Sequence, residues 1–139
     1  MEGVTVGDVA RAVGGSLVGA PDLEAAAVRT AVVDSRKVTP GALFLALAGE
    51  RTDGHLYIEE ALKAGALACL IDRSKMNLWE AGWQAVGRPP ASAILVDDTL
   101  TALGDLGHWY KRRIGPVTVA VTGSNGKTTT KEMIAAILV

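Results

Sequence analysis

Three short apolar runs constrain this chain more than anything else in its sequence. Residues 42–47, 66–72 and 93–96 are apolar almost without interruption, too short for helices and free of polar alternation. The second and third read as buried strands, and the first is an apolar run of similar length. Helical spacing separates them. Ile58, Ala61 and Leu62 form one apolar face between about Tyr57 and Lys63, and a short helix is expected around Trp79 and Trp83. Strand and helix in alternation predict an α/β layer structure with at least some parallel pairing.

The flanking segments extend the pattern. Val6, Val9, Ala10 and Val13 have helical spacing after Thr5, a candidate N-cap, and Gly14-Gly15 ends that helix. Residues 27–34 are rich in β-branched side chains and predict a strand, with Pro40-Gly41 as a turn. Gly49 closes the first apolar run and Gly65 the helix after it. Arg88-Pro89-Pro90 reads as a linker, and Asp98 or Thr99 caps a helix running to about Arg113. Gly115-Pro116 then breaks the chain, which places a domain boundary between residues 1–114 and 115–139. Beyond it, the strand Val117–Val121 leads into a Gly-rich turn and a helix with Met133, Ile134, Ile137 and Leu138 on one face. One strand and one helix cannot bury their apolar sides alone. Residues 115–139 are therefore expected to be the truncated start of a second domain, and the chain a piece of a longer protein.

Composition excludes several classes. The 139 residues suffice for one domain of ordinary size, with 49% hydrophobic but only 4% aromatic residues, so the core should be aliphatic. A formal charge of −1 gives no general attraction for nucleic acid or anionic membranes. Lys111-Arg112-Arg113 reads as a set of cations complementing a helix dipole, and His108 as a surface residue. The single cysteine, Cys69, excludes an intramolecular disulfide and sits in an apolar run, as a buried reduced thiol does. There is no signal-peptide pattern and no apolar stretch near the roughly 20 residues that span a bilayer, so a cytoplasmic protein without membrane insertion is expected. No His/Cys/Asp/Glu set has metal-ligand spacing.

The sharpest chemical signal is Gly123-Ser124-Asn125-Gly126-Lys127-Thr128, followed by Thr129. Glycines let backbone N–H groups turn inward onto phosphate oxygens, and the helix that follows presents its positive end to the same anion. Lys127 adds a mobile cation for the β- and γ-phosphates, and the Thr128 hydroxyl can reach a phosphate-bound Mg2+. The usual pattern has a glycine where this chain has Val121, so the loop is a shortened G-x-x-G-K-T variant. Its position, between a β-branched strand and a helix, marks it as a nucleotide-phosphate loop.

The stretch Thr122 to Thr129 resembles the ATP loop of the Mur ligases and the related folylpolyglutamate synthases. A second stretch, Asp34-Ser35-Arg36-Lys37-Val38-Thr39-Pro40-Gly41-Ala42-Leu43-Phe44 with Gly49-Glu50-Arg51-Thr52-Asp53-Gly54-His55, is similar to the N-terminal UDP-binding domain of the later Mur ligases. More than a hundred residues precede the loop, unlike the folylpolyglutamate synthases, and the Gly-rich first turn of the earlier Mur ligases is missing. Gly49-Glu50-Arg51, Asp53-Gly54-His55, Ser124 and Lys131-Glu132 look most like the branch that adds D-Ala-D-Ala. The branch adding the third peptide residue is the alternative.

The resemblance implies a small mixed α/β UDP-binding domain followed by the first strand, P-loop and helix of an ATPase-like domain. It implies a ligase that uses ATP and Mg2+ to activate a carboxylate of UDP-N-acetylmuramoyl-tripeptide as an acyl phosphate, which the amine of D-Ala-D-Ala attacks. A monomer is expected of the complete protein. Gly123, Ser124, Asn125, Gly126, Lys127, Thr128 and Thr129 correspond to the ATP loop, with Lys127 on the phosphates and Thr128 on the metal. Val33, Ser35, Arg36, Glu50, Arg51 and Thr52 correspond to the residues that hold the uridine end. Glu50-Arg51-Thr52 departs in chemistry from the third-residue branch. Physically, Ser35 can donate to a uracil carbonyl, and Arg36 or Arg51 can face a pyrophosphate, which suits a guanidinium. His55 reads as a turn residue that packs, rather than as a base. The chain as it stands is expected to lack activity and to serve as a UDP-binding module. A P-loop switch or motor is disfavoured by placement, because such proteins usually open with the loop or put a compact sheet around it.

Overall fold

The computed structural model describes residues 1–116 together with residues 123, 126–128, 132 and 133. Five strands form one mixed sheet: β1 (Ser16–Gly19), β2 (Thr30–Val32), β3 (Ala42–Leu45), β4 (Ala68–Asp72) and β5 (Ser92–Val96). Their order is β1-β5-β4-β3-β2; β2 to β5 run parallel and β1 joins β5 antiparallel. The helices are α1 (Val6–Ala12), α2 (Ile58–Lys63), α3 (Met76–Ala85) and α4 (Thr99–Ile114).

The apolar runs become the centre of a three-layer structure, and period-two alternation divides them between its faces. Phe44, Cys69, Ile71 and Leu95 point to the side covered by Ile58, Ala61 and Leu62 of α2 and by Trp79 of α3. Leu43, Leu45, Leu70, Ile94 and Val96 point to the other side, under Val6 and Val9 of α1 and Ala102 and Leu106 of α4. Burying each large side chain contributes roughly 1.5–3 kcal/mol, so this double-sided burial is what holds the sheet. The aliphatic core matches expectation, with Phe44 and Trp79 as its fully buried aromatics.

Aspartates recur wherever the chain leaves the C-terminal edge of the sheet. Asp34 accepts from Arg36 N, Asp53 from His55 N, Asp72 from Ser74 N, and Asp98 from both Leu100 N and Thr101 N. Each satisfies a backbone donor that a helical start leaves open. At the other edge, Thr5 caps α1 in a reciprocal box with Asp8, at 3.1 and 3.0 Å. Gly115 ends α4 in the left-handed conformation. Arg113 does more than complement the dipole of α4: it donates to Gly3 O and lies over the Trp109 ring. His108 is exposed.

The sequence reading missed β1. The segment is short, has an exposed-to-intermediate pattern and follows two glycines, so it carries no strand periodicity of its own. Gly15 makes its approach possible, because a Cβ there would stand 2.7 Å from Ile94 Cγ2. The strand anticipated over 27–34 contracts to Thr30–Val32, since only these residues find ladder partners on β3. Among the described residues no helix is long and apolar enough to cross a membrane. The anticipated strand at 117–121 and most of the helix after it lie outside the described residues.

Candidate functional site

The C-terminal ends of β2 and β3 diverge into two loops, and a cleft of about 600 Å³ lies between them. Crevices at strand C-termini are where open α/β sheets bind ligands. One wall is the exit of β2. Val33 is 53% exposed, and Ser35 begins a 3-10 turn, Ser35–Lys37, largely buried beside the cleft. Arg36 folds onto Asp34, with Nε 3.0 Å from Oδ1 and Nη2 2.9 Å from Oδ2. The Arg36 side-chain hydrogen bonds, together with its backbone N–H, hold the Asp34 carboxyl below the usual carboxylate range. A guanidinium carries about five donors. Two here serve to orient it, while the side chain stays largely exposed at the cleft.

The opposite wall is the exit of β3, drawn into a closed loop. Gly54 N donates to Leu47 O at 2.7 Å and Gly49 N to Thr52 O at 2.9 Å. A bridge joins Ala48 to Asp53. Thr52 and Tyr57 face the cleft, their hydroxyl oxygens 3.3 Å apart. The structure thus brings Val33, Ser35, Arg36 and Thr52 together. Glu50 and Arg51 are exposed on the loop and are not part of the cleft lining. Tyr57 and Glu60 line it without having been singled out from the sequence. The available signal for Tyr57 was a large aromatic at a helix start in an aromatic-poor chain.

His55 packs as expected, and its contacts are specific. It is 2% exposed, with Nδ1 2.6 Å from Asp53 Oδ1, while its Nε2 accepts from Asp72 N at 2.9 Å. Burial tends to raise the Asp53 carboxyl, but donation from the His55 backbone and ring, and from Lys75, brings it below its ordinary value. Cys69 is buried as anticipated, and burial pushes its thiol up to about 12.

Of the segment expected from the sequence to form a phosphate loop, Gly123, Gly126, Lys127 and Thr128 are described. Both glycines have positive φ, 138° and 73°. This is the conformational freedom that a loop turning its N–H groups inward requires. Lys127 and Thr128 are helical and exposed, and the space beside Gly126 is open. Ser124, Asn125 and Thr129 lie outside the described residues. Among the described residues no group of three or more His, Cys, Asp or Glu side chains could hold a metal ion.

The sequence matches the Mur ligase family, catalytic domain, over residues 28–110, more than half of the chain. The chain belongs to the Mur ligase family. Among Mur ligases, it is 44% identical over 136 residues to UDP-N-acetylmuramoyl-tripeptide–D-alanyl-D-alanine ligase of Bacillus subtilis, covering 96% of this chain and 27% of that protein. The fold superposes on the crystal structure of MurF from Acinetobacter baumannii with a TM-score of 0.71 at 31% identity, covering 96% of this chain and 27% of that one. It also superposes on MurF ligase from Thermotoga maritima, crystallised in complex with ADP, with a TM-score of 0.59 at 35% identity, over 80% of this chain and 23% of that one. The chain spans about a quarter of the length of these Mur ligases.

Proposed function

We propose that these residues serve an ATP-dependent ligase that joins D-Ala-D-Ala to UDP-N-acetylmuramoyl-tripeptide, and that the cleft between Ser35 and Tyr57 holds the uridine end of that substrate. The cleft carries the reading. It lies at the C-terminal edge of parallel strands and combines an orientated guanidinium, a hydroxyl and an aromatic ring. In this reading Arg36 faces the diphosphate while Asp34 keeps it from collapsing elsewhere. Ser35 and Thr52 supply hydrogen bonds, and Val33 and Tyr57 supply apolar surface for a base. Arg51, away from the lining, has at most a contact at the rim.

Residues 1–114 form the UDP-precursor domain in this proposal, and the left-handed Gly115 marks the turn toward the ATP-binding part. Lys127 pairs with nucleotide phosphates, and Thr128 offers its hydroxyl to Mg2+. The positive-φ glycines and the exposed helical start fit a phosphate cradle. ATP supplies the activating phosphoryl group when bound, and Lys127 neutralises the charge that builds up there.

The test is calorimetric titration of the chain with UDP-N-acetylmuramoyl-tripeptide, the corresponding dipeptide precursor, and magnesium-ATP in turn. Saturable binding of the tripeptide precursor, weakened by Arg36→Ala, is the expected result. No binding of either UDP compound would sink the assignment of the cleft, and tighter binding of the dipeptide form would favour the ligase adding the third residue.

A further inference from the structure

We propose that His55 is a positioning residue for the uridine end of the substrate: as the Nδ1–H tautomer it fixes the cleft's outer wall against the C-terminal end of β4. The inference rests on the reading of the cleft given above.

The polarity of the cleft loop is inverted at His55. Across residues 48–57 every side chain is exposed or half-buried except that of His55. The next residue, Leu56, is 66% exposed, while His55 is 2% exposed. If burial of apolar area were the only demand here, the leucine would be inside. An imidazole in that place costs desolvation unless both nitrogens find partners. Both do, and they do so in different parts of the fold. Nδ1 meets the Asp53 carboxylate at 2.6 Å within the same loop, and Nε2 receives the backbone N–H of Asp72, at the end of β4, at 2.9 Å.

These partners define the tautomer. A backbone N–H can only donate, so Nε2 must accept, and the proton sits on Nδ1 facing a carboxylate. The ring therefore links the cleft loop to the sheet in a way that neither a leucine nor the other tautomer can. The groups around it are Asp53 from the loop, Asp72 from β4 and Lys75 from the following turn, whose Nζ is 3.3 Å from Asp53 Oδ2.

The link bears directly on the cleft. Gly54 and Tyr57, on either side of His55, line it, and Tyr57 approaches Thr52 across the loop. The loop's other closures are backbone bonds within itself or to its own β3 exit, the Thr52–Tyr57 hydroxyl contact, and the partly exposed ion pair from Lys75, in the turn after β4, to Asp53. Among the described residues, the His55–Asp72 bond is the side-chain hydrogen bond that ties this loop to a different strand. Without it the wall keeps its local shape but loses its fixed distance from Ser35 and Arg36.

The experiment compares the complete chain with its His55→Leu and His55→Gln variants, using UDP as the calorimetric probe and far-UV circular dichroism to measure the folded fraction. His55→Leu should weaken UDP binding by about tenfold or more at an unchanged folded fraction. The glutamine amide can accept from Asp72 N, and should restore most of that loss. Equal affinity in His55→Leu and the parent chain overturns the proposal, as does a glutamine variant as weak as the leucine one. If the leucine variant unfolds, nitrogen-15 spectra of the parent chain decide: an Nε2–H tautomer at His55, or ring nitrogens unmoved by saturating UDP, overturns it. A parent chain that binds no UDP fails the reading of the cleft instead, and the positioning role falls with it.

Discussion

Replacing Gly54 by alanine tests the closure of the cleft loop more directly than any change to a lining side chain. The backbone φ at Gly54 is ordinary, so the need for glycine there is purely steric. A Cβ would stand 2.8 Å from both Leu47 N and Leu47 O, and 3.2 Å from Ala46 C. All three are main-chain atoms on the exit of β3 and cannot rotate away. Ordinary contact would require a separation larger by about 0.6 Å, and overpacking of that kind costs about 1–3 kcal/mol. The same movement stretches the Gly54 N to Leu47 O hydrogen bond, now 2.7 Å, whose loss adds about 1 kcal/mol. The variant should therefore be destabilised by about 2–4 kcal/mol, a large part of an ordinary folding free energy, with Tm lower by about 10 °C. Urea denaturation and calorimetry read both quantities. Gly104→Ala provides the control of opposite sign. It lies on the exposed face of α4 with nothing within 4 Å of a Cβ, and should stabilise by about 0.5–1 kcal/mol through helix propensity. A Gly54→Ala chain as stable as its parent, with unchanged UDP affinity, would refute the tight closure drawn here.

Other consequences can be checked separately. Asp98→Ala removes the acceptor for two backbone donors at the start of α4, and should cost about 1–2 kcal/mol by urea denaturation. Arg36→Ala should weaken UDP binding about tenfold by calorimetry while leaving Tm nearly unchanged, since its ion pair is exposed. Asp8, Asp34, Asp53 and Asp72 all have carboxyls held below their ordinary value. Their contribution to stability is present above the unfolded carboxylate pKa of about 3.9 and is lost as pH falls through the lower folded values. Stability measured by urea midpoint should thus drop steeply below about pH 4; a flat profile there would remove these carboxylates from the account. Cys69, with its thiol pushed up to about 12 by burial, should resist thiol reagents in the native chain and react only on unfolding.

Much of this protein follows from local rules that act before the chain is folded. The apolar runs around Leu70 and Ile94 announced buried strands, because continuous apolarity over so few residues has few other uses. Thr5 and Asp98 announced helix starts because they can accept the backbone donors a first turn leaves open. The resemblance of residues 34–55 and 122–129 to Mur ligases was legible as well, because it rests on strings of residues. Tertiary structure decided the rest. The β1 strand exists because β5 offers an unpaired edge and Gly15 lets the chain approach it; nothing within residues 16–19 requires a strand. The cleft joins Ser35 and Arg36 to Thr52 and Tyr57 because β2 and β3 lie side by side in parallel and their exits must diverge at the same edge. His55 shows the division most sharply. Its sequence setting marks a turn, but its value lies in one hydrogen bond to a strand 17 residues away, and a distance of that kind is set only when the sheet assembles.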